Sequence, residues 1–240
     1  MELLKTPRVL AIIPARGGSK SIPHKNIVDI NGHPLIAYSI IQALNSRYIT
    51  DLVVSTDSSK IAEVSKEYGA QVPFLRPGCL ATDASLTSDV IHHSLIFMEN
   101  KSGQKYDYVI TLQPTTPMRS SYLIDRSIEV LEESFDYDSV VSVVNVGAYH
   151  PRRMYIISSK NILSRLVKDC GGEMAPRQEL EPVYIRSGDI YLVRANLLRQ
   201  MPVMIGTTPY GLLVHPEETI NIDEQRDLDY ARLKVKWPHS

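Results

Sequence analysis

Three cations, Arg16, Lys20 and Lys25, fall within the sixteen residues AIIPARGGSKSIPHKN at positions 11 to 26, on a stretch that also carries Gly17 and Gly18. Cations beside exposed backbone amides suit a polyphosphate. The preceding apolar run, Val9 to Ile13, reads as a short buried strand, and Pro14 with the glycine pair ends its ladder and lets the backbone fold closely round a ligand. The spacing is neither G-x-x-x-x-G-K-[ST] nor G-x-G-x-x-G, so the two common glycine-rich nucleotide loops are excluded. Taken alone, a basic glycine-rich loop is a surface turn about half the time. A second candidate is Gln113-Pro114-Thr115-Thr116-Pro117-Met118-Arg119, where two prolines flank two threonines. Such a turn is stiff, and at the carboxyl end of a strand it would stand where open α/β sheets bind ligands. By composition it fits a plain strand-to-helix connection equally well.

The elements that must position these residues alternate in the manner of a parallel sheet with crossover helices. Pro34 to Asn45 has helical apolar spacing. Asp51 to Ser55 reads as a strand, and Asp57-Ser58-Ser59 caps a helix running to Gly69. A third strand is expected over Gln71 to Leu75, a helix over Asp83 to Glu99 and a fourth strand over Tyr106 to Leu112, leading directly into Gln113. A helix from Tyr122 to Glu133 and a strand over 139 to 147 follow. From Ala148 to Ile185 the texture changes to scattered prolines, glycines and cations with two short strand-like runs, which reads as an inserted subdomain within one domain of residues 1–240. The chain then returns through a strand at Asp189 to Val193 and helices at Ala195 to Gln200 and near the C-terminus. The expected class is α/β, with a Rossmann-like, mostly parallel sheet and flanking helices.

Composition narrows the function. A chain of 240 residues, 43% hydrophobic, can bury a full core. Its net charge of -1 gives no general field for nucleic acid or an anionic membrane, so the cations act locally and the partner is a small molecule. No apolar run approaches the ~20 residues that span a bilayer, and the N-terminus lacks a signal-peptide pattern, so a cytoplasmic location is expected. Cys79 and Cys170 are far apart and form neither a zinc cluster nor a redox pair; both are read as reduced and structural.

The first motif closely resembles the basic loop A-R-x-x-S-K-x-x-x-x-K-N of the CMP-sialic acid synthetases, the acylneuraminate cytidylyltransferases. LQPTTPMR is similar to their L-Q-P-T-S-P-x-R segment, and TINIDEQRDLD at 219 to 229 resembles their D-I-D segment. The three motifs stand in the family's order, and the resemblance runs from Val9 to the C-terminal helix. It implies a nucleotidyltransferase-type fold that transfers CMP from CTP to the anomeric hydroxyl of a nine-carbon 2-keto sugar acid. Arg16, Ser19, Lys20 and Lys25 would cradle the triphosphate, Lys20 countering charge as pyrophosphate leaves. Asn26, Arg76, Ser85 and Thr87 match positions that contact cytosine. Gln113, Tyr191, Arg153 and Arg177 would hold the sugar acid, the two arginines reaching a neighbouring subunit's site from the inserted dimerisation subdomain of a homodimer.

The D-I-D segment implies Mg2+. Asp223 matches its second aspartate, whereas the first is Asn221, so one carboxylate is missing from the metal candidate. Ser187, before Gly188, stands where many relatives have Asn. Lys20, Gln113 and Asp223 are the residues that the resemblance places nearest the chemistry, and Asp227 and Asp229 are read as helix-start charges. The general base stays open between metal-bound hydroxide and Asp223, and the acceptor between neuraminate, legionaminate and pseudaminate. The CMP-Kdo synthetases, with A-R-x-x-S-T-R, fit less well. A nucleotide or sugar sensor of the same fold without turnover, and a purely structural dimer module, are the alternatives from other classes.

Overall fold

The computed structural model describes residues 6–19, 21–167 and 179–238. In chain order, β1 (Val9–Pro14) leads through a small hairpin, β2 (Asp29–Ile30) and β3 (His33–Pro34), to α1 (Leu35–Leu44) and β4 (Ile49–Ser55). Next come α2 (Ser59–Glu67), α3 (Thr87–Ser102), β5 (Tyr108–Thr111), α4 (Ser121–Glu133) and β6 (Ser139–Asn145). A ribbon of β7 (Tyr155–Ile157) and β8 (Leu163–Arg165) precedes β9 (Tyr184–Arg194), α5 (Ala195–Gln200), β10 (Pro209–Leu213) and α6 (Gln225–Lys234).

Among the described residues the main sheet has the order β10-β6-β9-β5-β1-β4. β1 pairs in parallel with β4 and β5, and β10 in parallel with β6, while β9 runs antiparallel to both its neighbours. The continuous apolar run of β1 is explained by burial on both faces. Val9, Ala11 and Ile13 meet Ile36 and Ile40 of α1 and Ile124 and Ile128 of α4, whereas Leu10 and Ile12 meet Ile91, Leu95 and Met98 of α3. Helices on both faces make this the expected α/β class. A smaller core of Ile30, Tyr38, Ile222, Leu228 and Ala231 seats α6 beside the β2–β3 hairpin.

The differences from the sequence reading have local causes. Gln71 to Leu75 is not a strand but two single bridges, Val53 to Gln71 and Thr56 to Leu75, because Pro73 between them lacks an N–H for the ladder. α3 starts at Thr87 instead of Asp83, since residues 82 to 85 close a turn in which Ser85 N–H donates to Thr82 O at 3.2 Å. β10 was unexpected: Pro209 and Gly211 give it the composition of a loop, which an edge strand tolerates. β9 begins five residues before Asp189. Cys79 is exposed, which corrects its reading as a structural residue; Cys170 lies outside the described residues.

Candidate active site

β1 and β5 lie side by side and their crossovers leave in opposite directions, so their carboxyl ends open the crevice in which sheets of this kind bind ligands. The basic loop leaves β1 there and the Gln113 turn leaves β5. Between them lies a cleft of about 730 Å³.

The basic loop is braced from β4. Ala15 N–H donates to Ser55 O at 2.9 Å and Gly17 N–H to the Asp57 carboxylate at 2.8 Å. A Cβ on Gly17 would meet Ser58 Cβ at 3.0 Å, so this glycine serves close packing against the β4–α2 junction, while Gly18 faces open space. Ser58 caps α2 by accepting from Ile61 N–H, which leaves Asp57 to hold the loop. Asn26 fastens the far side, its Nδ2 donating to Arg16 O at 2.9 Å. Arg16 itself is paired across the cleft mouth with Asp83 at 2.7 Å, and Lys25 Nζ donates to Ile222 O at 3.0 Å with the Asp223 carboxylate 3.8 Å away. Lys25 thus ties the basic loop to the C-terminal motif.

Behind the cleft Arg76 is buried, its Nε donating to Ser55 Oγ at 3.2 Å; burial pushes its guanidinium down to about 10, with Asp57 opposing that shift. Ser85 Oγ donates to Cys79 O at 3.0 Å and holds the 79–85 loop. Thr87 opens α3 at the cleft wall.

The Gln113 turn is fixed by a residue that the sequence reading passed over. Arg119 is 1% exposed and donates twice to Gln113 O, at 3.2 and 3.1 Å, and to Thr116 Oγ1 and Asp189 O. Burial lowers its guanidinium to about 10, countered by Asp189, whose own carboxyl burial raises. Its signal was the arginine that closes LQPTTPMR. Gly188, at φ +89°, is required twice over: a Cβ would be strained there, and would come within 3.1 Å of Gln113 Oε1. Tyr191 is opposite Thr111, two residues before Gln113, and burial raises its phenol while the Arg186 charge works the other way.

The C-terminal motif forms the floor. Asn221 Nδ2 donates to Asp223 Oδ2 at 2.8 Å, and Asp227 accepts from the N–H groups of Asp223 and Glu224 in a capping box, as its reading as a helix-start charge required. Among the described residues no group of three His, Cys, Asp or Glu side chains is placed to hold a metal. Asp223 Oδ1 and Asn221 Oδ1 are the oxygens that this segment offers, and the latter lies 3.9 Å from the position a Cβ on Gly188 would take, on the side of Gln113. A carboxylate and an amide oxygen are hard donors of the kind a divalent cation such as Mg2+ takes, two in number among the described residues of this segment.

Eleven of the fourteen candidate residues therefore line this one cleft: Arg16, Ser19, Lys25 and Asn26 from the basic loop, Arg76, Ser85 and Thr87 from its wall, and Gln113, Tyr191, Asn221 and Asp223 from the far side. Arg153 is not among its lining; it ends the helical turn Pro151–Arg153 that leads into β7. Lys20 and Arg177 lie outside the described residues. Asp83, Thr115 and Arg186 line the cleft without having been singled out.

A doubly covered, mostly parallel sheet with a cationic cleft at its carboxyl edge defines an enzyme that handles a nucleotide or another phosphorylated small molecule. The chain belongs to the Cytidylyltransferase family, which it matches over residues 10–231. It is 38% identical over 231 residues to the CMP-N,N'-diacetyllegionaminic acid synthase of Legionella pneumophila, covering 92% of this chain and 93% of that one. It is 29% identical to a pseudaminic acid cytidylyltransferase of Campylobacter jejuni, over 96% and 97% of the two chains. In fold it is similar to a CMP:2-keto-3-deoxy-manno-octonic acid synthetase solved with CTP, with a TM-score of 0.70, 18% identity, and 94% and 97% of the chains covered. Among the described residues no helix is long and apolar enough to cross a membrane.

Proposed function

We propose that this enzyme transfers CMP from CTP to the anomeric hydroxyl of a nine-carbon 2-keto sugar acid of the sialic, legionaminic or pseudaminic type. The observation that carries the reading is the convergence of three motifs, separated by about a hundred residues each, on a single cleft at the β1–β5 edge. The names of the relatives support the same acceptor class. In the reaction the acceptor oxygen forms a bond to the α-phosphorus, the bond from that phosphorus to the oxygen bridging to the β-phosphorus breaks, and pyrophosphate leaves with that oxygen. The hydroxyl proton passes to solvent or to Asp223.

Arg16, Lys25 and Ser19 bind the triphosphate, and Lys20 counters the charge growing on the leaving pyrophosphate. Thr87 and the 76–85 wall enclose the base. Gln113 and Tyr191 orient the acceptor. Asp223 and Asn221 would hold Mg2+, which when bound supplies charge neutralisation across the phosphates.

The working form is a cytoplasmic homodimer. The segment of residues 148–185 exposes Tyr155, Ile156, Ile157, Ile162 and Leu163, an apolar surface suited to a second copy. Arg153 stands at the base of that segment, in keeping with delivery to the partner's cleft together with Arg177. The test is pyrophosphate release from CTP and Mg2+ with neuraminate, legionaminate, pseudaminate and Kdo supplied separately, beside a Lys20→Ala variant. Release with one nine-carbon acid, lost in the variant, is expected. CTP binding without release across the panel would leave a nucleotide sensor instead, and release with Kdo alone would move the acceptor to the eight-carbon class.

A further inference from the structure

The cleft holds a cation that none of the three motifs contains. Arg186 lies in the first half of β9, and its placement follows from a break in the β6–β9 ladder. Val141 pairs with Tyr191 and Val143 pairs with Arg186, so the ladder advances two residues on β6 but five on β9. The extra residues form a bulge over Ser187 to Ile190, made possible by the left-handed backbone of Gly188 and packed through Ser187 Oγ, which donates to Ser142 Oγ at 2.8 Å. The consequence concerns direction. In a regular strand, residues 186 and 191 would point to opposite faces. Val141 and Val143 share a face, and directly opposed residues share it with their partners, so the bulge turns Arg186 onto the face that carries Tyr191.

Both side chains line the cleft on the side of Gln113 and Gly188, across from the Arg16 and Lys25 loop. Arg16 and Lys25 each have a carboxylate within reach, at 2.7 and 3.8 Å. Among the described residues the Arg186 guanidinium has no hydrogen bond and no ion pair, and it acts on Tyr191 only through its charge. An exposed cation on a strand that lines the cleft, with no protein anion answering it, is open to an anion that the ligand brings. The phosphates are served from the opposite wall. The acceptor's carboxylate is attached directly to the anomeric carbon, so the group that receives it must stand near the reacting oxygen, beside the Gln113 turn. The planar fork of an arginine matches a carboxylate with two parallel hydrogen bonds.

We propose that Arg186 is a substrate-binding residue that takes the acceptor's carboxylate from within the same subunit. The inference rests on the reading of the cleft as a sugar-acid cytidylyltransferase site. It adds a cis contact to the cations that the dimer would contribute.

The test uses the full-length protein, Arg186→Gln and Arg186→Lys, with the sugar acid that supports pyrophosphate release and with its methyl ester at the carboxylate. Arg186→Gln should raise the acceptor KM roughly 10- to 100-fold and leave the CTP KM within about two-fold, with Arg186→Lys in between. The wild-type preference for the acid over the ester should collapse in Arg186→Gln. If turnover is too slow for a KM, calorimetric titration of the acid into protein saturated with a non-hydrolysable CTP analogue reads the same shift. An unchanged acceptor KM, a rise in the CTP KM instead, or an acid-over-ester preference equal in variant and wild type overturns the proposal while leaving the transferase intact. Wild-type protein silent with every acid overturns the transferase reading and this proposal with it.

Discussion

β5 separates two clusters of charge that obey opposite rules. At its amino end Glu99 is buried, and each of its oxygens is answered: Arg199 at 2.6 and 3.1 Å, Lys105 at 2.8 Å and the Tyr106 N–H at 3.1 Å. At its carboxyl end, in the cleft, Asp223 is largely exposed and meets an amide and a lysine 3.8 Å away, while Arg186 meets no anion among the described residues. A buried charge left short of partners costs several kcal/mol, so a cluster that only holds the fold must be saturated. Charges kept for a ligand can be left short of partners or held in weak exposed pairs, and they avoid that cost where they remain wet. The comparison predicts that substitutions at the two ends will separate stability from activity.

The largest effect is expected for Asp223→Ala. It should lower kcat roughly 10²- to 10³-fold, the scale of removing a charge-stabilising group from a reacting centre, and move Tm by less than about 2 °C because the side chain is exposed. Steady-state pyrophosphate release beside a thermal melt checks both halves; an unchanged kcat would remove this aspartate from the chemistry.

Glu99→Gln should do the converse. Only Glu99 is buried and the cations left behind reach solvent, so losing its charged hydrogen bonds costs about 1.5–3 kcal/mol, roughly 5–10 °C in Tm for a chain of this length, with kcat per folded molecule unchanged. The pH dependence has a definite sign. Burial by itself would raise the Glu99 carboxyl, but hydrogen bonds from Arg199, Lys105 and Tyr106 N–H outweigh it and bring it to about 2. A carboxyl depressed in the folded state contributes stability above its unfolded value, near 4.3, and loses it as pH falls toward 2. Melts between pH 5 and pH 2.5 should fall more steeply for wild type than for Glu99→Gln.

How far the sequence foretold these two ends differs for a physical reason. The basic loop, the Gln113 turn and the C-terminal motif are contiguous in the chain, so residue type and spacing displayed them, and β1 was legible because burial on both faces demands an unbroken apolar run. Arg186 was not legible. Its direction depends on a bulge, and a bulge is a disagreement between two strands that neither strand's own alternation records. Arg119 and Asp57 were passed over because each looks like an ordinary turn or cap residue until the group it braces, the Gln113 carbonyl or the Gly17 N–H, is known. The Glu99 cluster joins α3, the approach to β5 and α5 across about a hundred residues, and only the fold brings them together.

The missing carboxylate sharpens the comparison from within the cleft. Asn221→Asp restores a second acidic oxygen beside Asp223, and the Asn221 Nδ2 bond to Asp223 is replaced by repulsion. With a divalent cation present the variant should saturate at several-fold lower Mg2+, and without it the melt should drop slightly, since like charges at an exposed site cost little. An Mg2+ titration of pyrophosphate release, with melts in EDTA, checks this; an unaltered Mg2+ requirement would place the cation elsewhere.

The smallest expected effect concerns Asp83, which pairs with Arg16 at the mouth of the cleft although both side chains are substantially exposed. If Arg16 serves the triphosphate, this carboxylate competes with the ligand for it. An exposed pair is worth less than about 1 kcal/mol, so Asp83→Asn should lower the CTP KM by only about two- to four-fold. The gain should shrink as ionic strength rises, because salt screens the competing carboxylate and the incoming phosphates alike. CTP titrations of the variant and wild type at low and high salt read both trends. A CTP KM that rises in Asp83→Asn would show that the pair positions Arg16 for the nucleotide instead of withholding it, and would move Asp83 to the saturated, structural side of the comparison.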